Sequence, residues 1–227
     1  MSATVQLIHN ETGTLLRREE DRAVFSVTAP DDLVVKVPLR PVSESARGGI
    51  KPFLHKHFPM APHRALFREV NHDITIRIRS YQMGHASPIA STNGIMRTDH
   101  GLGLLMQRVG PATGGLGLTL DEFIAQDLLD TPALKALNDF SRAMFALGVV
   151  APNVGPRNIV WGEQDGTWRP LIVDGFGDHS VTKLPSWIPF LRHYGLHRGM
   201  ERTARDVGLR WSRRKKMFLR ADSGALD

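Results

Sequence analysis

Apolar residues in the first part of the chain come in short runs set between turn formers. Ala23 to Thr28, AVFSVT, and Leu33 to Val37, LVVKV, flank the turn sequence PDD and predict two strands, and Val5 to Ile8 predicts another. One basic residue, Lys36, interrupts LVVKV, and its ammonium must reach solvent, snorkel or meet a carboxylate. Further along, His63 to Asn71, HRALFREVN, sets Leu66 and Val70 four residues apart and predicts a helix that also carries Glu69. Ile74 to Ile78 fits either a continuation of that helix or a strand. Ile89 to Met96 and Gly103 to Val109, GLLMQRV, predict the remaining strands of a small sheet.

The periodicity changes after Gly110 to Gly117, GPATGGLG, the most flexible interior segment by composition. It is the expected boundary between a β-rich part, residues 1–110, and a mainly helical part, residues 111–227. Beyond it, Thr119 followed by Glu122 has the spacing of a capping box. Pro132 suits the first turn of a second helix, in which Leu134, Leu137, Phe140, Ala143, Met144 and Leu147 recur at helical intervals. The apolar triplets IVW and LIV, with turn residues between them, predict a hairpin within Ala151 to Asp178. From Glu201 to Arg220 a basic helix is expected, offering Val207, Leu209, Trp211, Met217 and Phe218 for partial burial.

Together these patterns predict an α+β chain. Its 227 residues are 41% hydrophobic, ample material for a buried core. With 29 Lys and Arg against 23 Asp and Glu, the formal charge of +6 favours an anionic surface or ligand without choosing among phosphate, nucleic acid and lipid headgroup. The absence of cysteine excludes disulfides, thiolate nucleophiles and cysteine-ligated metal centres. The start, MSATVQLIHNETG, lacks the basic-then-apolar order of a secretory leader, and no later stretch has the apolar length of a membrane span, so a cytoplasmic location is expected.

Two pairs of polar residues stand out. Asn158 just before IVW and Asp174 just after LIV flank the hairpin, where an amide oxygen and a carboxylate can converge on a hard divalent cation such as Mg2+. The same residue types also suit Asx turns with no metal, and the spacing leaves both readings open. Lys36 and Glu69 form the second pair, able to neutralise each other while the ammonium reaches a phosphate oxygen; a surface Lys and an unrelated helix Glu is the competing account. His55, His57 and His63 match no regular metal spacing, and His193 and His197 lack the intervening Glu of a zinc-hydrolase helix. WSRRKKMFLR concentrates charge, with Arg213, Arg214, Lys215 and Lys216 consecutive between Trp211 and Phe218; it suits nucleic-acid phosphates, an anionic membrane, or a solvated face.

Taken in order, these features resemble the protein-kinase-like fold. VVKVP resembles its lysine-bearing third strand, FREVN its glutamate-bearing helix, and GLGLLMQRVG the strand entering its hinge; NVGPRNIVW and IVDGFGD resemble its catalytic and magnesium loops. More closely, the chain resembles the small bacterial YrbL family, named for the PhoP regulatory network, whose members have a shortened kinase-like domain. The resemblance runs from about Val5 to about Trp187. It implies a two-lobed fold, with a small antiparallel β N-lobe over 1–110 and a reduced, mainly α-helical C-lobe over 111–227. It also implies ATP and Mg2+ as cofactors. Lys36 would contact the α- and β-phosphates with Glu69 positioning it, Gly13, Met106 and Arg108 would be further nucleotide-binding positions, and Asn158 and Asp174 would hold the metal.

The departures from the kinase pattern bear on activity. Asn153 stands where kinases carry the aspartate that accepts the substrate proton, and an amide is no general base. Gly155 replaces the usual lysine of that loop, and HNETGTLLRREEDRAVF offers only Gly13 where several glycines normally approach phosphate. Asp178, four residues after Asp174, is a candidate substitute base or second metal ligand. The stretch after Asp174 is too short for both an extended activation segment and a helical peptide platform, which disfavours protein substrates. The resemblance therefore implies nucleotide binding with a regulatory role, as in a pseudokinase, or weak atypical phosphotransfer to a small hydroxyl-bearing substrate, with a regulatory protein as a further partner. The competing class is a non-catalytic basic module that binds nucleic acid or an acidic partner.

Overall fold

The computed structural model describes residues 4–6, 12–18, 22–27, 32–39, 63–151, 153–164, 166–177 and 189–221. Two compact units emerge, one from Met1–Val70 with Ser91–Arg108, the other from Asn71–Ala90 with Val109–Asp227.

The first unit is built on an antiparallel sheet of strand order β1-β2-β3-β4-β6-β5. Its strands are β1 Thr4–Gln6, β2 Thr12–Arg18, β3 Arg22–Ser26, β4 Leu33–Pro38, β5 Thr92–Thr98 and β6 Gly101–Gln107. Alternation sets one face: Ala23 and Phe25 of β3 bury with Leu33, Val35 and Val37 of β4, and Leu15, Met96 and Leu105 pack against them. Val34 and Lys36 point the other way, Val34 opposite Met106, and Lys36 between Val24 and Leu104. Val34, Leu104 and Met106 are buried too, so both faces of β4 are covered. That is why LVVKV fails to alternate between apolar and polar residues.

Helix α1, Arg64–Met83, is longer than HRALFREVN predicts, and Ile74 to Ile78 belongs to it. The buried residues Glu69, Asp73 and Ile76 recur at helical spacing while Ile74 and Ile78 are exposed, so the period of this segment is that of a helix despite its alternating ITIRI sequence.

In the second unit, α2, Leu120–Ala125, opens with the expected capping box: Glu122 N donates to Thr119 Oγ1 at 3.4 Å and Thr119 N to Glu122 Oε2 at 2.8 Å. Helix α3, Thr131–Ala146, is capped by Asp130, which accepts from Ala133 N at 2.8 Å, and has Pro132 in its first turn. The predicted hairpin is present as β7, Ile159–Gln164, and β8, Thr167–Ile172. GPATGGLG is less free than its composition suggests, because it is pinned to β7. Glu163 N donates to Gly110 O at 3.0 Å, Trp161 N to Leu118 O at 2.8 Å, and a β-carbon on Gly117 would stand 1.7 Å from Trp161 O. Only glycine permits that crossing of two backbones.

The expected basic helix from Glu201 to Arg220 is corrected by the structure. Helix α4, Pro189–Asp206, stops before Gly208, which takes φ +71°, and the chain then forms an antiparallel hairpin of β9, Leu209–Ser212, and β10, Met217–Arg220. Trp211 sits opposite Phe218, and Arg213 to Lys216 form the turn. Long-range contacts decide the outcome. Asn138 of α3 accepts from Phe218 N at 2.6 Å and donates to Phe218 O at 3.1 Å, and Ser141 Oγ donates to Lys216 O at 2.8 Å. Among the described residues, no helix is long and apolar enough to cross a membrane.

Candidate functional site

In the first unit, Lys36 and Glu69 are brought together. Strand pairing fixes Lys36 on the face away from Phe25 and Val35, and α1 presents Glu69 there: Lys36 Nζ donates to Glu69 Oε2 at 3.2 Å. The side chains are 11% and 9% exposed, so the ammonium is largely shielded from water and Glu69 supplies a countercharge. Met106 is buried on the same face of the sheet, and Arg108 N donates to Asp32 O at 2.7 Å where β6 gives way to the following segment. Gly13 is buried within β2 and pairs with Val5.

In the second unit, Asn153, Asn158 and Asp174 are gathered by a compact loop. Asn158 ends a short 3-10 turn, Pro156–Asn158, and its Nδ2 donates to Asn153 O at 3.1 Å. Its own carbonyl accepts from Val173 N at 2.9 Å, which fixes Asp174 one residue beyond the link. Gly175 completes the junction with φ +74°: a β-carbon there would stand 2.6 Å from Asn153 O and 2.9 Å from Asn158 Nδ2. Gly175 N in turn donates to Asp174 Oδ1 at 2.6 Å, and the Asp174 residue is only 9% exposed. Asp178 lies outside the described residues.

By donor type alone, these groups suit magnesium. Donation by Asn158 Nδ2 leaves its oxygen as the acceptor limb of the amide, and a carboxylate with an amide oxygen is a donor set suited to a hard cation that keeps water and phosphate oxygens in its shell. Among the described residues, no three His, Asp or Glu side chains form a metal-holding group, so protein ligation here would rest on that pair.

Two residues that support the loop carry no sequence signal. His72, three residues beyond Glu69 on α1, accepts from Val150 N at 3.0 Å and lies 6.3 Å from the Phe176 ring, while Thr203 Oγ1 of α4 donates to Val154 O at 3.0 Å. A lone histidine or threonine on a helix looks the same in sequence whether or not it holds a distant loop. His55 and His57 lie outside the described residues. His63 immediately precedes α1, and His193 and His197 pack beside Phe145, with ring centroids 5.6 and 4.5 Å away. Arg157 is 83% exposed, its Nε 3.6 Å from Asp121 Oδ2.

Comparison with known proteins agrees with this architecture. A double mutant of the Mycobacterium tuberculosis PknI kinase domain is similar at 16% identity and a TM-score of 0.50, over 89% of this chain and 77% of that one. The PknI kinase domain without those changes gives 17% identity and 0.49, over 90% and 75%. Against a second double mutant the figures are 17% identity and 0.43, and this chain spans only 58% of that chain's length. At such identity the first of these likenesses speaks for a protein-kinase type of fold and for nothing finer. No curated protein matches. The family described as PhoP regulatory network protein YrbL matches residues 8–208, most of the sequence, and the chain therefore belongs to the YrbL family.

Proposed function

We propose that the chain binds ATP with magnesium and acts in regulation or as a weak, atypical phosphotransferase toward a small hydroxyl-bearing substrate. The observation that carries this reading is the buried Lys36–Glu69 ion pair. A buried lysine ammonium held against a glutamate carboxylate is a preset cation for phosphate oxygens. Asn158 and Asp174 supply the oxygen donors for magnesium, whose contribution when bound is to neutralise phosphate charge. Met106, on the strand beside Lys36, and Arg108, just past the end of that strand, line the nucleotide, and Gly13 lies under its phosphates. The two parts of the chain, 1–110 and 111–227, act as the lobes of a reduced kinase-like domain in the cytoplasm.

Asn153 sets the limit on chemistry. Its amide can hydrogen-bond a substrate hydroxyl and orient it, yet it cannot take the proton. Asp178, four residues beyond Asp174, is the candidate carboxylate for that task, and without it the hydroxyl must lose its proton to solvent or to the transferred phosphoryl group. The family description and the kinase-domain neighbour are compatible with either a regulatory nucleotide sensor or a slow enzyme.

Isothermal titration with ATP and magnesium tests the binding reading. Binding is expected in the unmodified chain, with strong weakening in Lys36→Met and loss of the magnesium dependence in Asp174→Ala. No binding, or the same affinity in all three proteins, overturns it.

A further inference from the structure

The positive charge of the chain is concentrated in one place. Residues 198–220 hold nine Lys and Arg against Glu201 and Asp206, a net +7, whereas the whole chain is +6. The remainder is therefore close to neutral. This segment is the second half of α4 and the β9–β10 hairpin, and the structure joins the two: Arg213 Nε and Nη2 donate to both carboxylate oxygens of Glu201, at 2.5 and 2.8 Å. The pair ties the hairpin turn to the helix.

On α4, Arg198, Arg202 and Arg205 follow Tyr194 at helical spacing, and all four are exposed. Arg210, Arg214 and Lys215 are exposed on the hairpin. Among the described residues, no carboxylate lies within ion-pair distance of Arg198, Arg202, Arg210 or Arg214. Tyr194 stands one turn before Arg198 on the same helix and is 47% exposed, which places an aromatic ring beside the row of arginines.

We infer that this surface binds single-stranded nucleic acid through its phosphates, with Tyr194 as a stacking platform. Three observations select nucleic acid over an anionic membrane. Seven of the nine basic residues are arginines, whose planar donors match phosphate in pairs, where a simple field effect makes no such demand. The basic run is a hairpin turn and not an amphipathic helix, so it has no continuous apolar face to lay into a bilayer. Its aromatic residues are committed to the body: Trp211 meets Phe218 edge-on at 5.0 Å and donates to His197, and Phe218 is fully buried. Binding would be sequence-tolerant, as phosphate contact and base stacking require no reading of base edges. The surface is separate from the residues assigned to ATP, and neither reading depends on the other.

Fluorescence anisotropy of the full chain with a labelled polyuridylate oligonucleotide, titrated at several KCl concentrations without ATP or magnesium, tests the inference. Log affinity should fall linearly with log salt. Arg202→Gln with Arg214→Gln should weaken binding about ten-fold or more at low salt and flatten the slope by about 1.4, roughly 0.7 for each lost phosphate contact. Tyr194→Ala should weaken binding while leaving the slope unchanged, and Tyr194→Phe should restore it. Arg18→Gln with Arg97→Gln, an equal change of charge on exposed strand residues of the other unit, should have little effect. No oligonucleotide binding at low salt, equal losses in the two arginine pairs, or capture by phosphatidylserine vesicles without oligonucleotide binding would overturn it.

Discussion

Lys36 Nζ lies 3.2 Å from Glu69 Oε2, and neither side chain exposes more than 11% of its surface. At that depth each charge is stabilised by the other, and breaking a buried pair costs on the order of 3–5 kcal/mol. Lys36→Met and Glu69→Leu should each lower stability by several kcal/mol, and the double variant should lose less than the sum of the two because both members of the pair are then gone. Urea unfolding of the four proteins measures the coupling, and simple additivity would contradict it.

Two glycines should respond differently to the same methyl group. Gly84 has φ +66° but no atom within 4 Å of an added β-carbon, so Gly84→Ala carries only backbone strain, about 1 kcal/mol. Gly117→Ala would drive a β-carbon into Trp161 O and push the glycine-rich segment off β7, at a cost of about 3 kcal/mol or more. Thermal melts of the pair should rank them in that order.

Acid should weaken the second unit through His197. Its Nδ1 accepts from Trp211 Nε1 at 3.1 Å, a bond that requires the neutral ring. Burial, then the charges of Arg213, Lys216 and His193, hold its pKa below the ordinary value of 6.5, with Glu201 opposing them. Since the unfolded chain takes up the proton first, stability is full above about 6.5, falls as the pH drops through the window between the unfolded and the lowered folded pKa, and levels off below it. Urea midpoints followed by tryptophan fluorescence from neutral to mildly acid pH should show this fall in the unmodified protein, and a smaller one in His197→Gln. Equal pH dependence in both proteins would show that other groups govern it.

Asn153 is exposed, so Asn153→Asp should change stability by less than about 0.5 kcal/mol. If an absent base limits phosphotransfer, magnesium-dependent ADP release should rise about ten-fold. The gain should stay below the 10²–10⁴ range of a well-placed base because Gly155 still supplies no cation. Unchanged release would point to a role in binding alone.

Much of this architecture could be read locally. The Thr119–Glu122 capping box, the Asp130 and Pro132 helix start and the β7–β8 hairpin are encoded within a few residues of where they form. So was the candidate site, in the limited sense that a lysine in an apolar strand must find a partner and that Asn158 and Asp174 flank a hairpin. The C-terminal hairpin was not legible from periodicity, since Leu209, Trp211, Met217 and Phe218 fit a helix about as well as two short strands. Gly208 was the available signal, a stop after Asp206 that a helical count passes over. His72 and Thr203 stayed hidden for a different reason: their partners, Val150 and Val154, are 78 and 49 residues away.

The same distance has a consequence in time. Asn138 and Phe218 are separated by 80 residues, so during synthesis α3 is complete long before the strand that satisfies its buried amide leaves the ribosome. Until then the inner face of α3, with Asn138 and Ser141 on it, has no β10 to close it. The second unit can be helical early, yet it reaches its final packing only when a strand translated 80 residues after Asn138 arrives.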